Sequence, residues 1–293
     1  MRRNITIMIT LLAVFGLSAR AHAFDLGKVI GSGLGGIQQM AEASKDITPS
    51  EEHYIGRAVA ALVLEKYPLL NNSALDNYLN EVGLTVAYHS DRPETYGGWH
   101  FAVLNSDEIN AFACPGGFIF VTKGLLKEVQ NEDQLATVLG HEVTHVAERH
   151  GIKAIKKSRW TNFAFYAVGE AGGQVARNYT SAEISQLVDV FQSVVLDVAK
   201  NVMEKGYSKA DEKEADNLGM RYAANAGYDP LAMAQFIKVE MEKGTGKTGA
   251  FSSHPTHEQR LNEVEATIQS QGLTGSVASV RTDRFKQSVA SLL

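Results

Sequence analysis

Two histidines four residues apart, with a glutamate directly after the first, constrain this chain more than any other feature. If His141-Glu142-Val143-Thr144-His145 is helical, both imidazoles emerge on one face, one turn apart. The preceding residues predict that helix. Asn131 can cap it, Glu132 and Asp133 complement the positive end of its dipole, and Gln134 can reach back in a capping box. Leu135, Val138, Leu139 and Val146 then form an apolar stripe for the core. Imidazoles at this spacing suit a tetrahedral zinc ion, and Glu142 can take a proton from water attacking a carbonyl. By itself the pattern is weak evidence, since composition alone produces it in roughly one protein in a hundred of this length.

A hydrolytic zinc site needs a third protein ligand and one position open to water. Tyr207-Ser208-Lys209-Ala210-Asp211 predicts a second capped helix start, and Gly227 with Pro230 ends that helix near Ala226. Glu212 and Asp216 lie one turn apart and share a face with Ala215 and Gly219, small residues that let another helix approach closely. Glu214 turns the other way, beside Asn217 and Arg221, toward solvent. Glu212 is therefore the expected third ligand. Asp216 becomes an outer partner that orients a ligating imidazole or assists proton transfer. His150, His257, His89, His100 and His53 lack ligand spacing and are expected to be ordinary, His150 as a residue suited to the negative end of a helix.

The first residues read as an export signal. Arg2 and Arg3 precede the apolar run from Ile5 to Leu17, and Ala21-His22-Ala23 has the pattern of a cleavage site, so residues 1–23 are expected to be removed after Ala23. That run is too short to span a bilayer comfortably. Phe24 stands where a lipid anchor would need cysteine, so the expected product is soluble. The net charge is −5, and losing Arg2, Arg3 and Arg20 makes the remainder more acidic. No basic footprint for nucleic acid is left. Cys114 is the single cysteine, so no internal disulfide can form, which is compatible with a bacterial periplasm.

Residues 24–48 form a Gly- and Ser-rich lead-in, with room for a short helix around Ile37–Ser44. Helical spacing follows through Ile55, Ala58, Val59 and Leu62, then from Ser73 to Tyr88 with Leu75, Tyr78, Leu79, Val82 and Val86 on one face. The period then changes. Trp99–Leu104, Ile109–Ala113 and Phe118–Thr122, with Gly116-Gly117 before the last, predict three strands of a small antiparallel sheet. Everything after Leu125 reads as helical, giving an α+β, mostly helical domain. No stretch after the signal reaches 18 uncharged apolar residues, so no transmembrane segment is expected. A stripe of Ile184, Leu187, Val188, Phe191, Val194, Val195 and Val198 suits core packing. It also suits an amphipathic arm over the cleft or against a membrane, hinged at Gly169, Gly172 and Gly173.

Four segments, in this order, resemble the zinc metallopeptidases of family M48: Asn110-Ala111-Phe112-Ala113-Cys114-Pro115-Gly116-Gly117, His141-Glu142-Val143-Thr144-His145, Glu212-Lys213-Glu214-Ala215-Asp216, and His254-Pro255 with Arg260. The resemblance implies a zincin-like domain over residues 49–270, followed by a tail, 271–293. It implies one zinc ion per chain held by His141, His145 and Glu212, with Glu142 as general base and Asp216 as an assisting acid. Asn110, Ala111, Phe112 and Ala113 resemble an edge strand that binds substrate by main-chain pairing. His254 resembles a zinc ligand of a latent state, and Arg260 a residue that steadies substrate or oxyanion. Cys114 departs from the family, where an aliphatic residue is usual, and reads as a buried small thiol. The implied activity is a periplasmic endopeptidase cutting unfolded or misassembled envelope proteins. The alternative is a latent protease acting mainly as a chaperone or assembly factor for outer-membrane proteins.

Overall fold

The computed structural model describes residues 47–155, 181–243, 257–275 and 278–292. The expected signal, most of the lead-in, the hinge glycines at 169–173 and His254 lie outside them. The chain divides into two units, residues 1–48 with 154–198 and residues 49–153 with 199–293.

Within the second unit, α1 (Pro49–Lys66) buries Ile55, Gly56, Val59, Ala60 and Val63. Ala58 and Leu62, expected on that face, sit at its edge. In α2 (Ser73–Ala87) the Asn72 side chain accepts from the Leu75 N–H, and Leu75, Tyr78, Leu79, Val82 and Val86 are all buried. Strands β1 (His100–Leu104), β2 (Ala111–Cys114) and β3 (Phe118–Thr122) follow. Pro115-Gly116-Gly117 joins the last two as a hairpin with both glycines at positive φ, 77° and 104°, a conformation that needs a missing Cβ.

The sheet is mixed rather than antiparallel. Its order is β1-β3-β2; β3 pairs in parallel with β1 and antiparallel with β2. The glycine turn specifies only the hairpin. The stretch carrying β2 also serves as the crossover a parallel pair requires, so β3, buried at all five positions, takes the centre. β2 is left as an edge.

Short helix α3 (Lys123–Glu128) leads to α4 (Glu132–Ala147), which is buried from Glu132 through Val146. The Asn131 side chain caps α4 by accepting from Gln134 N–H at 2.9 Å. The Gln134 side chain reaches one residue further back than a capping box, to Gln130 N–H at 2.8 Å. Then come α5 (His150–Lys153), α6 (Ser181–Lys200), a π-helical turn (Asn201–Lys205), α7 (Lys209–Asn225), α8 (Leu231–Lys243), α9 (His257–Gln271) and α10 (Ser279–Val289). On α6, Val194, Val195 and Val198 are buried. No helix among the described residues is long and apolar enough to cross a membrane.

The main core lies between one sheet face (Phe101, Val103, Ala111, Ala113, Ile119, Val121) and the apolar sides of α2 and α4. Each fully buried large side chain there contributes roughly 1.5–3 kcal/mol. The stretch 271–293, expected as a tail, contributes too. Phe285 and Val289 of α10 enter this core, and Arg284 and Arg281 pair with the buried carboxylates of Glu132 and Asp133. Two apolar residues one turn apart in a polar helix were too sparse a stripe to mark it.

Helices α4 and α7 meet at a glycine pair. A Cβ built on Gly140 would lie 2.4 Å from the Gly219 carbonyl oxygen, and one on Gly219 would lie 2.5 Å from the His141 nitrogen. Both obstacles are backbone, so the helices must part to admit a methyl group. Gly219→Ala should cost about 1–3 kcal/mol by overpacking, read as a lowered denaturation midpoint. A midpoint equal to wild type would show that the contact yields without strain.

On α1, His53 packs between the rings of Tyr54, Tyr96 and Phe118, with centroids 5.4–5.6 Å away. Burial, with help from Arg57 and His100, lowers its pKa from 6.5 to about 4. The unfolded chain thus binds a proton first as pH falls, and stability is lost between about pH 6.5 and 4. His53→Gln should flatten stability across that window; an unchanged slope in urea melts at pH 4.5 and 7 would assign the loss elsewhere.

Candidate metal centre

His141 and His145 project from α4 and Glu212 from α7, and one ligand atom from each lies within 4.8 Å of the others. The two Nε2 atoms are 3.0 Å apart. Glu212 places Oε2 3.4 Å from His141 Nε2 and Oε1 3.9 Å from His145 Nε2. All three residues are at most 3% exposed. Local sequence builds each half. The Asn131 cap fixes where α4 starts, and Ser208 with Asp211 forms a complete capping box that starts α7. The glycine contact then brings the halves together.

The outer contacts define protonation. His141 Nδ1 is 2.9 Å from Asp216 Oδ1. A carboxylate only accepts, so Nδ1 carries the hydrogen and Nε2 is the nitrogen left to bind a metal once its own proton is displaced. Asp216 in turn accepts from Arg260 at both oxygens, Nε–H to Oδ2 at 2.9 Å and Nη2–H to Oδ1 at 2.8 Å. Arg260 is 2% exposed and stands behind the ligand as the partner of Asp216. Burial would raise the Asp216 pKa, but Arg260 and His141 hold its carboxyl well below the usual carboxylate range.

Burial opposes charge on His141, yet hydrogen bonds to Asp216 and Glu212 drive its pKa up to about 10. The pocket therefore favours positive charge despite full desolvation, which is the electrostatic setting a divalent cation requires. Two imidazole lone pairs and one carboxylate oxygen also fit the donor chemistry of a hydrolytic zinc site.

Glu142 follows the first ligand and is 6% exposed. Burial pushes its carboxyl up to about 7, against the pull of His141 and Arg260. That poises it near neutrality, where a proton acceptor works best. Its charge also reaches the β2 side of the site. Cys114, fully buried, and Tyr207 are both pushed upward, first by burial and then with a contribution from Glu142. Glu240 is a further buried carboxyl, raised to about 7 by desolvation with Arg260 pulling it back.

Asn110, Ala111, Phe112 and Ala113 are at most 4% exposed, so the β2 edge is covered. The π-helical turn runs against β2. The Tyr207 hydroxyl donates to the Ala113 carbonyl at 3.3 Å, and its ring stacks on His145 with centroids 4.2 Å apart.

Two expectations need correction. His150 is not an ordinary helix-end residue; it is 1% exposed, with Nδ1 2.8 Å from His145 Nδ1. Glu214 does not simply face solvent, since its Oε2 lies 3.1 Å from His150 Nε2. The physical reason is Arg149, which ends α4 in the left-handed region at φ 58° and folds the chain back onto His145. A non-glycine residue in that region is a strained position that sequence spacing cannot reveal.

The comparisons with known proteins agree with this geometry. The model of peptidase family M48 matches residues 73–268. The chain is 27% identical over 223 residues to the beta-barrel assembly-enhancing protease of Escherichia coli, covering 75% of this chain and 44% of that protein. It is 32% identical over 167 residues to the mitochondrial metalloendopeptidase OMA1 of Arabidopsis thaliana, covering 55% and 30%. The OMA1 protein of Schizosaccharomyces pombe matches at 29% over 171 residues, covering 57% and 46%. This chain thus spans less than half the length of these curated relatives. With the family model matching residues 73–268 and the donor set in place, the chain belongs to peptidase family M48.

Proposed function

We propose that this chain is a periplasmic, zinc-dependent endopeptidase that cuts unfolded or misassembled envelope proteins. The observation that carries the reading is the convergence of His141, His145 and Glu212 within 4.8 Å, beside a glutamate whose carboxyl burial raises to about 7. The name of the Escherichia coli relative, a beta-barrel assembly-enhancing protease, supports the substrate class, and the export-signal pattern of residues 1–23 supports the compartment.

His141, His145 and Glu212 would hold the ion, one per chain. A zinc ion there supplies Lewis-acid polarisation of the scissile carbonyl and acidifies water. Glu142 accepts the proton of the attacking water and returns it to the leaving amine. Asp216 keeps His141 in its ligating tautomer, and Arg260 keeps Asp216 ionised in a buried place. Asn110 to Ala113 would pair with an extended substrate along β2.

One observation favours the second reading, a latent protease that acts mainly as an assembly factor. The π-helical turn packs against β2 and the Ala113 carbonyl is already taken by Tyr207, so a substrate strand must displace both before pairing. Zinc analysis and cleavage of casein, an unfolded substrate, with and without chelator test both readings. About one zinc per chain with chelator-sensitive cleavage supports the peptidase. Stoichiometric zinc without cleavage would turn the assignment toward the latent role.

A further inference from the structure

Both ligand imidazoles use Nε2 toward the metal centre, and both have their other nitrogen engaged. For His141 the partner is Asp216. For His145 it is a second histidine, which poses a problem of proton counting. Two ring nitrogens 2.8 Å apart form a hydrogen bond only if one carries hydrogen and the other a lone pair.

The far side of His150 bears on which. Its Nε2 faces Glu214 Oε2 at 3.1 Å and Asp211 Oδ1 at 3.6 Å. Both are carboxylate acceptors, so Nε2 carries the hydrogen. In the tautomer with that hydrogen, His150 offers its Nδ1 lone pair, and His145 donates from Nδ1. That leaves the His145 Nε2 lone pair directed at His141 and Glu212, as a metal ligand requires. The reverse arrangement would put hydrogen on His145 Nε2 and close the site.

We propose that His150 is a positioning residue that fixes His145 in its ligating tautomer, with Glu214 as the acceptor that fixes His150. The inference rests on the metal reading above. It gives the second ligand what Asp216 gives the first: a hydrogen-bond chain ending in a carboxylate. Tyr207 completes the cage by stacking on His145, so the ring is held both in its plane and across it.

His150, Asp211 and Glu214 also lie close enough together to bind a cation by themselves. The two uses exclude each other. Nε2 cannot give a lone pair to an ion while Nδ1 also accepts, and the 2.8 Å contact to His145 favours the positioning role.

The test is zinc affinity, measured by competition with a chromophoric chelator, for wild type, His150→Leu and His150→Asn. Melting of each zinc-free protein controls for folding. His150→Leu should bind zinc about 10–100-fold more weakly. His150→Asn should recover much of that loss, because its amide oxygen can accept where Nδ1 did. Imidazole nitrogen NMR of zinc-loaded wild type, which needs no variant, should show His145 protonated at Nδ1. Equal zinc affinity in wild type and His150→Leu would overturn the inference alone. A second zinc equivalent lost in His150→Leu would overturn it in favour of a separate cation site. Wild type that binds no zinc would overturn the metal reading and this inference together.

Discussion

Glu142→Gln is expected to lower peptide cleavage by about 10²–10⁴-fold, the usual worth of a positioned general base, while leaving zinc content unchanged. The amide matches the carboxylate in shape, so the buried space next to His141 stays filled. It has no lone pair basic enough to take the proton of an attacking water. Stability should hold or rise, because burial already works against charge at this position and glutamine removes that cost. Single-turnover cleavage of casein at saturating enzyme isolates the chemical step. A rate within tenfold of wild type, with zinc in place, would mean that another group activates the water.

Arg260→Leu is the substitution with the largest expected effect on stability. Arg260 and Asp216 are both under 5% exposed and share two hydrogen bonds. Arg260 also lowers the energy of nearby carboxylates at Glu240 and Glu212. Removing the cation leaves these acids buried without it. Breaking a buried pair in this way costs about 3–5 kcal/mol, or roughly 6–20 °C in melting temperature for a domain of this size. Arg260→Lys should fall between, since one ammonium cannot bond both carboxylate oxygens in a fork. A melting temperature within two degrees of wild type for the leucine variant, on the order of 1 kcal/mol or less, would show the pair contributes no net stability. Because Asp216 also meets His141, the same variant should weaken zinc binding.

The features legible in the sequence were those set by neighbours along the chain. Asn131 and Ser208 announced both helices of the site by their caps, and helical spacing put Leu75, Tyr78 and Val82 on a buried face. Ala215 and Gly219 signalled a close helix contact, and Gly140 is its other half. What escaped was set by the chain folding back on itself. Nothing local ranks three strands across a sheet, so the hairpin was readable and the central place of β3 was not. His150 has no ligand spacing because it reaches His145 through the left-handed turn at Arg149. Phe285 and Val289 join the core from a helix whose own composition gives no reason to bury it.

The Gly140–Gly219 contact also bears on how the site keeps its shape. The separation of α4 and α7 is set where backbone meets backbone, with no side chain between to compress or swing. Ligand spacing across the two helices is therefore stiff, and it should tolerate substitutions in the surrounding core that would shift a side-chain-mediated crossing. His141 and His145 share α4 and Glu212 alone comes from α7, so a side chain added at either glycine would carry that carboxylate away from both imidazoles.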